Sequence, residues 1–146
     1  MAINPHDAAG ERLAAVGQRY TPKRRRLVAI LERARMPLAI PEILRGRRGL
    51  AQSSVYRNLA ALEQAGVVRR LITDEEFGRY ELTEDLTEHH HHLVCSNCGR
   101  VEDVTIPPAL EETMDRTIDR LARRTGFAAV SHRLDLIGTC RVCARA

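Results

Sequence analysis

The sequence predicts an α+β chain in two parts, an N-terminal winged helix-turn-helix followed by a metal-rich C-terminal part. Three observations point there. Three stretches of helical periodicity precede two short strand-like segments, which is the element order of a winged helix. The charge is split: residues 1–73 hold 14 Lys/Arg against 5 Asp/Glu (+9), whereas residues 74–146 hold 9 against 14 (−5). A net charge of +4 therefore conceals a basic half, suited to a polyanion, and an acidic one. Finally, Cys95, Cys98, Cys140 and Cys143 form two Cys-x-x-Cys pairs, and four consecutive histidines, His89 to His92, precede the first pair. The expected division is residues 1–84 and 85–146.

Length and composition set the outer bounds. A chain of 146 residues, 44% hydrophobic, can build one ordinary domain or two small ones, but aromatics supply only 3% and there is no Trp, so aliphatic side chains must do the packing. No run approaches the ~18–20 apolar residues of a membrane span, and MAINPHDAAGERL lacks the apolar region of a signal peptide. The expectation is a cytoplasmic protein with no membrane partner, whose thiols stay reduced and are more often metal ligands than disulfides.

In TPKRRRLVAILERA, Thr21 is placed to cap a helix and Pro22 to occupy its first position, where a missing N–H costs nothing. Leu27, Ile30, Leu31 and Ala34 follow at helical spacing. PEILRGRRG reads as a shorter helix with Pro41 near its start. QSSVYRNLAALEQAGVV reads as a third, with Ser53 or Ser54 as cap, an apolar stripe of Val55, Leu59, Leu62 and Ala65, and Gly66 just past its end. VVRRLIT and GRYELT then form two strands around the turn DEEFG. In a winged helix the last helix presents its N-terminal residues to the major groove. Here those are Gln52, Ser53, Ser54, Tyr56, Arg57 and Asn58; Arg57 can grip guanine bidentately or hold a phosphate. Double-stranded DNA is the expected partner of this half. A three-helix bundle with a solvated polar face is the bland alternative.

In the second half, four thiolates offer Zn²⁺ a closed tetrahedral shell, and each two-residue spacer lets both sulfurs of a pair reach one ion. The 41 residues between the pairs leave room for a helix, PPALEETMDRTIDRLARRTG, starting at Pro107 or Pro108 and ending at Gly126, and for a strand, AAVSHRLDLIG. Redox use of the Cys pairs competes, but they lie in no thioredoxin-like βαβ pattern. LVCSNCGRVEDV reads as a hairpin with the first Cys pair at its turn. A strand beginning near residue 89 sends His90 and His92 to one face and His89 and His91 to the other, so the run suits two metal sites back to back. Nearby carboxylates are Glu81, Glu102 and Asp103, and His132 returns in the later strand.

Taken together, TPKR, SSVYRNLAALEQAGVV, YELT, HHHHLVCSNCG, GFAAVSH and GTCRVC resemble, in that order, the ferric uptake regulator family, which includes iron, zinc, manganese, nickel and peroxide sensors. The resemblance spans nearly the whole chain. It implies a homodimer built on a C-terminal α/β dimerisation domain, with Arg24, Tyr56 and Arg57 at the DNA. It further implies structural zinc on the four cysteines and a regulatory hinge site at Glu81, His90, His92 and Asp103. An additional site falls on His89, His91 and His132, with Asp115 as its acidic ligand and Glu111 or Glu112 as fallbacks. The regulatory metal expected is Zn or Fe, with Mn allowed. The sequence departs from the family pattern at Met36 and Pro37, where iron and peroxide regulators place a hinge histidine. It departs again at Arg69 and Thr83, where the zinc subgroup places Asp and Cys, and in EDLTE, which resembles an insertion carrying Asp85 and Glu88.

The function expected is therefore a metal-dependent repressor of metal uptake or homeostasis genes, with a peroxide-sensing regulator as the alternative within the family. A zinc hydrolase built on the histidines is the alternative from another class. Glu88 beside His89 resembles part of such a site, but HExxH is missing.

Overall fold

The computed structural model describes residues 3–72, 78–129 and 131–146. Its elements run α1 (Pro5–Ala15), α2 (Pro22–Ala34), β1 (Leu38–Ala39), α3 (Ile40–Leu44), α4 (Gln52–Gln64), β2 (Val68–Leu71), β3 (Arg79–Leu82), β4 (His91–Cys95), β5 (Val101–Val104), α5 (Pro108–Thr125) and β6 (Asp135–Gly138). Short 3-10 turns lie at Glu84–Leu86 and Cys143–Arg145. The fold is the α+β arrangement expected, a helical winged unit followed by an α/β unit. No described helix is long and apolar enough to cross a membrane.

The winged unit forms where its local signals stand. Thr21 caps α2 by accepting from the Arg24 N–H at 3.4 Å, with Pro22 at the first position. Gly66, at φ +70°, takes the left-handed turn that ends α4. The α4 start differs from expectation. Ala51 takes the cap position, its carbonyl accepting from the Val55 N–H at 3.0 Å, and Ser53 and Ser54 fall inside the first turn. The wing pairs β2 with β3 antiparallel, Arg69 opposite Glu81, and the two-residue β1 adds to the other side of β3. Residues 74–77 of the expected turn lie outside the described residues.

Helix α1 was not foreseen. Asn4 caps it by accepting from the His6 N–H at 2.9 Å, and Pro5 occupies its first position. Ala9 and Leu13 add its buried face to a core of Leu27, Val28, Leu31, Ile43, Val55, Leu59, Leu62, Val68 and Leu82. Arg12, at the edge of that face, binds three things at once. It donates to the Gly66 carbonyl at 2.6 Å and to Thr83 Oγ1 at 3.3 Å, and it pairs with Asp85 in the 3-10 turn. The exit of α4, the end of the wing and the linker beyond it are thereby held together.

The C-terminal unit is built differently. Its sheet runs β5-β4-β6, with β4 antiparallel to β5 and parallel to β6. Among the described residues beyond Leu86, the buried side chains are His91, His92, Cys95 and Val101. Helix α5 buries none, although it begins at Pro108 and ends at a left-handed Gly126 as expected. Leu121, Phe127, Leu136 and Ile137 remain exposed, Phe127 at 71% and Ile137 at 73%. The expected strand over AAVSHRLDLIG is shorter in the fold. It starts at Asp135, because its ladder is with β4 and β4 offers partners only from His92 to Cys95.

Since the aliphatic core lies in the first half, Leu59→Ala, at a side chain 0% exposed, is expected to lower unfolding free energy by about 2–5 kcal/mol. Denaturant unfolding should show this as a lower midpoint at unchanged slope.

Candidate metal centres and nucleic-acid face

Three groups of ligand-type side chains converge, with the donor atoms of each group within 4.8 Å of one another. The first joins Cys95, at the end of β4, to Cys98, Cys140 and Cys143. Register sets it. Cys95 stands beside Gly138 at the end of β6, and the Ser96 N–H donates to the Gly138 carbonyl at 2.8 Å, so the two Cys-x-x-Cys turns meet at one end of the sheet. All four cysteines are free thiols. Backbone N–H groups pointing at sulfur favour thiolate. The Cys140 N–H, 3.2 Å from Cys95 Sγ, draws that thiol down to about 6, and Cys140 is lowered in turn by the Cys143 N–H. Cys143 goes the other way, to about 12: the Asn97 side chain would lower it, but Cys140 and Cys98 beside it outweigh that. Four sulfurs this close ionise together only around a cation, so the residues fit a metal ion.

The second group joins the two halves. Glu81, 6% exposed on β3, directs Oε2 at His90 Nε2 (3.3 Å) and His92 Nε2 (3.2 Å), and Asp103 on β5 stands 4.0 and 3.9 Å from the same nitrogens. Each imidazole is oriented from behind. His90 Nδ1 lies 2.8 Å from the Glu88 carbonyl, and His92 Nδ1 lies 3.1 Å from Asp135, which Arg133 holds at 2.5 Å. That arrangement holds a proton on Nδ1 and aims Nε2 at the centre, where it donates to Glu81 while protonated and would be a metal ligand once that proton leaves. Burial alone would raise Glu81, but hydrogen bonds from His90 and His92 and the Arg69 charge hold it well below the carboxylate range. Its hydrogen bond with Glu81 raises His90 to about 9 against the cost of burial, while burial raises Asp103.

The third group is His89, His91, Glu111 and His132. Glu111 Oε1 lies 3.2 Å from His89 Nε2 and 2.5 Å from His91 Nε2, and its Oε2 lies 3.3 Å from His132 Nε2. His132 Nε2 is buried with no hydrogen-bond partner, an orphaned lone pair or proton aimed into a cluster of donors, as a metal ligand would be. Asp115, expected as the acidic donor, instead faces the other ring nitrogen, His132 Nδ1, at 3.3 Å and is exposed. Glu111, named as a fallback, takes the inner position because it lies one helical turn earlier and has the longer side chain. Glu112 points away and pairs with Arg116. A residue not foreseen, Glu84 in the linker turn, bonds His89 Nδ1.

Several of the sequence departures have structural partners. Pro37 contributes only its carbonyl, accepting from Arg79 at 3.4 Å, and neither it nor Met36 enters a donor group. Arg69 pairs with Glu81, Thr83 donates to the Gly66 carbonyl at 3.0 Å, and Asp85 pairs with Arg12.

On α4, Gln52, Ser53, Tyr56 and Arg57 are exposed on one open face. Ser54 and Asn58 turn inward: Asn58 donates to the Ser54 carbonyl at 2.8 Å and accepts from Arg24 Nε at 3.2 Å. Arg24 also donates to the Arg19 carbonyl and to Gln18. Of the seven expected contact residues, Gln52, Ser53, Tyr56 and Arg57 thus face outward, while Arg24, Ser54 and Asn58 brace the helix.

The sequence model of the ferric uptake regulator family matches residues 15–137. The peroxide operon regulator of Bacillus subtilis is 28% identical over 146 residues, covering 99% of this chain and 97% of its own. Among solved structures, the Helicobacter pylori ferric uptake regulator, described as having three functional metal binding sites, superposes with a TM-score of 0.71 at 25% identity, over 97% of this chain and 95% of its own. A zinc-bound manganese uptake regulator superposes at 0.65 with 29% identity, over 94% and 99%.

Two measurements check the geometry. His90, raised to about 9 by Glu81, stabilises the protein with metal-free histidines below its unfolded value of 6.5, and that stabilisation is lost as pH rises through about 9. The stability difference between wild type and His90→Gln should therefore be largest below about pH 5.5 (on the order of one unit below the unfolded value) and shrink toward alkaline pH in denaturant titrations. Separately, Glu111→Gln should abolish metal binding at the third group, whereas Asp115→Asn should weaken it by roughly 10–100-fold, read by competition with a chromophoric chelator.

Proposed function

The chain belongs to the ferric uptake regulator family, and from that premise we propose that it is a metal-dependent repressor that binds operator DNA as a homodimer and controls genes of metal uptake or homeostasis. The single observation that carries this reading is Glu81. It sits on β3 of the wing yet faces His90 and His92 at the start of the other sheet. A divalent ion held by Glu81, His90, His92 and Asp103 supplies the charge that lets two carboxylates and two imidazoles close on one point. The protein does the rest. Closure fixes the wing against the C-terminal unit, Arg12 passes that restraint to the exit of α4, and in a dimer the spacing of the two recognition helices is set. Tyr56, Arg57 and Ser53 then meet the groove while Arg24, Asn58 and Ser54 keep the helix rigid beneath them.

Other features fit the same reading. The Cys98 and Cys140 sulfurs lie 3.8 Å apart, close to the edge of about 3.8 Å of a tetrahedron with zinc–sulfur bonds of about 2.3 Å, so the four cysteines are assigned to structural zinc. Three imidazoles and one carboxylate in the third group also suit zinc. The hinge, with two of each, suits Zn²⁺ or Fe²⁺ and admits Mn²⁺. The exposed apolar faces of α5 and β6 supply the surface a partner chain would cover, and a division of the units between residues 84 and 85 agrees with the linker turn at Glu84–Leu86. The likeness to the peroxide operon regulator supports a second reading with the same hinge donors, in which peroxide relieves repression.

Operator affinity on the gene's own upstream DNA, measured by fluorescence anisotropy at buffered free Zn²⁺, Fe²⁺ or Mn²⁺, tests the proposal. Wild type should tighten with at least one metal, and Glu81→Ala should lose most of that response while Arg57→Ala weakens binding with and without metal. Equal affinity at all metal levels refutes the repressor reading. Loss of binding on adding peroxide to the Fe²⁺ form alone selects the second reading.

A further inference from the structure

The hinge group contains a cation of its own. Arg69 and Glu81 are directly opposed in the antiparallel β2–β3 ladder, so their side chains share a face. Arg69 Nε donates to Glu81 Oε1 at 2.5 Å, while Oε2 faces His90 and His92. One carboxylate is thus divided between a guanidinium and the point where the other donors converge. The third group has no counterpart: among the described residues, Glu111 is paired with three imidazoles and with no Arg or Lys.

Building on the metal-sensing reading above, we propose that Arg69 is a resident cation that holds the hinge site's metal affinity below that of the His89, His91, Glu111 and His132 group. The two histidine groups then fill in order, the third group first and the hinge last, so that the hinge responds to rising free metal.

The charges argue for this order. Glu81 and Asp103 give the hinge a formal −2, which Arg69 reduces to −1, the same as Glu111 alone gives the third group. At equal charge, the third group offers three imidazoles against two. Support from behind does not separate the groups, since Asp115 holds His132 and Glu84 holds His89 as Asp135 holds His92 and the Glu88 carbonyl holds His90. A guanidinium and a divalent ion on opposite oxygens of one carboxylate repel strongly, because Glu81 and His92 are buried and water screens them little. Arg69 also helps to aim Glu81, which works in the other direction. That contribution is the smaller one, since the two imidazoles grip the same carboxylate and remain when Arg69 is changed.

The test is a Zn²⁺ titration by competition with a chromophoric chelator, on full-length protein with its cysteine metal in place and no DNA present. His132→Ala isolates the hinge, and His90→Ala isolates the third group. Wild-type sequence at Arg69 should show the weaker constant at the hinge. Arg69→Gln should raise hinge affinity at least about tenfold and leave the third group unchanged. Arg69→Lys, which keeps the charge and loses the planar fork, should stay near the parent. The proposal is overturned if Arg69→Gln leaves hinge affinity the same or lowers it. It is overturned equally if Arg69→Lys rises as Arg69→Gln does, or if the unmodified hinge is the tighter site. Two groups that bind Zn²⁺ with no effect of Arg69 would remove this inference alone; two groups that bind no metal would remove the sensing reading with it.

Discussion

The carboxylate of Glu81 is the contact on which the arrangement of the two units turns. Its side chain is 7% exposed, and it accepts from imidazoles that begin the second sheet while standing in the third position of a strand that ends the first unit. A buried carboxylate is costly unless its charge is met, and here three side chains meet it: Arg69, His90 and His92. Without a metal the junction is already an ion-paired contact, so an ion bound there would tighten it, not create it. Arg12 would carry such tightening further, because the linker residue Asp85 and the α4 exit at Gly66 are bound to one guanidinium.

The C-terminal unit shows the same economy on a larger scale. It has no aliphatic core of its own among the described residues; its interior is two histidines, a cysteine and a valine. Order comes instead from polar convergence. Cys95 and Gly138 close one end of the sheet, Glu111 ties α5 to β4 through His91, and Asp135 ties β6 to β4 through His92. The apolar residues that would ordinarily build a core, Leu121, Phe127, Leu136 and Ile137, face outward and await a surface. Were metal ions and a partner chain bound as proposed, their occupancy would add to the stability of a unit held this way.

Which features were legible in the sequence follows from how local their causes are. Thr21–Pro22, Gly66 and Gly126 mark helix ends through backbone geometry that needs no neighbours, and each stands where it was read. The pairing of His90 with His92 and of His89 with His91 was legible because strand alternation is a property of the backbone. The choice between Glu111 and Asp115 was not. They are four residues apart and share a helix face, so only the depth to which α5 settles over β4 decides which carboxylate reaches the Nε2 atoms. The inward turn of Ser54 and Asn58 was hidden for a similar reason. Polar residues at the start of a recognition helix read as contact residues, but here Asn58 bonds inward to Ser54 and to Arg24. Helix α1 carried a fair signal in Asn4–Pro5 but a weak apolar stripe, only Ala9 and Leu13 being buried.

His91 and His92 open β4, and His89 and His90 continue its alternation just before it. His89 and His91 thus face Glu111 from the same four-residue segment whose other two side chains, His90 and His92, face Glu81. The third group also reaches the linker directly, through Glu84 and His89, three residues beyond Glu81. Extended backbone alternates its side chains, so four consecutive histidines let one short segment serve two opposite faces, one toward Glu81 and Asp103 and the other toward Glu111 and His132.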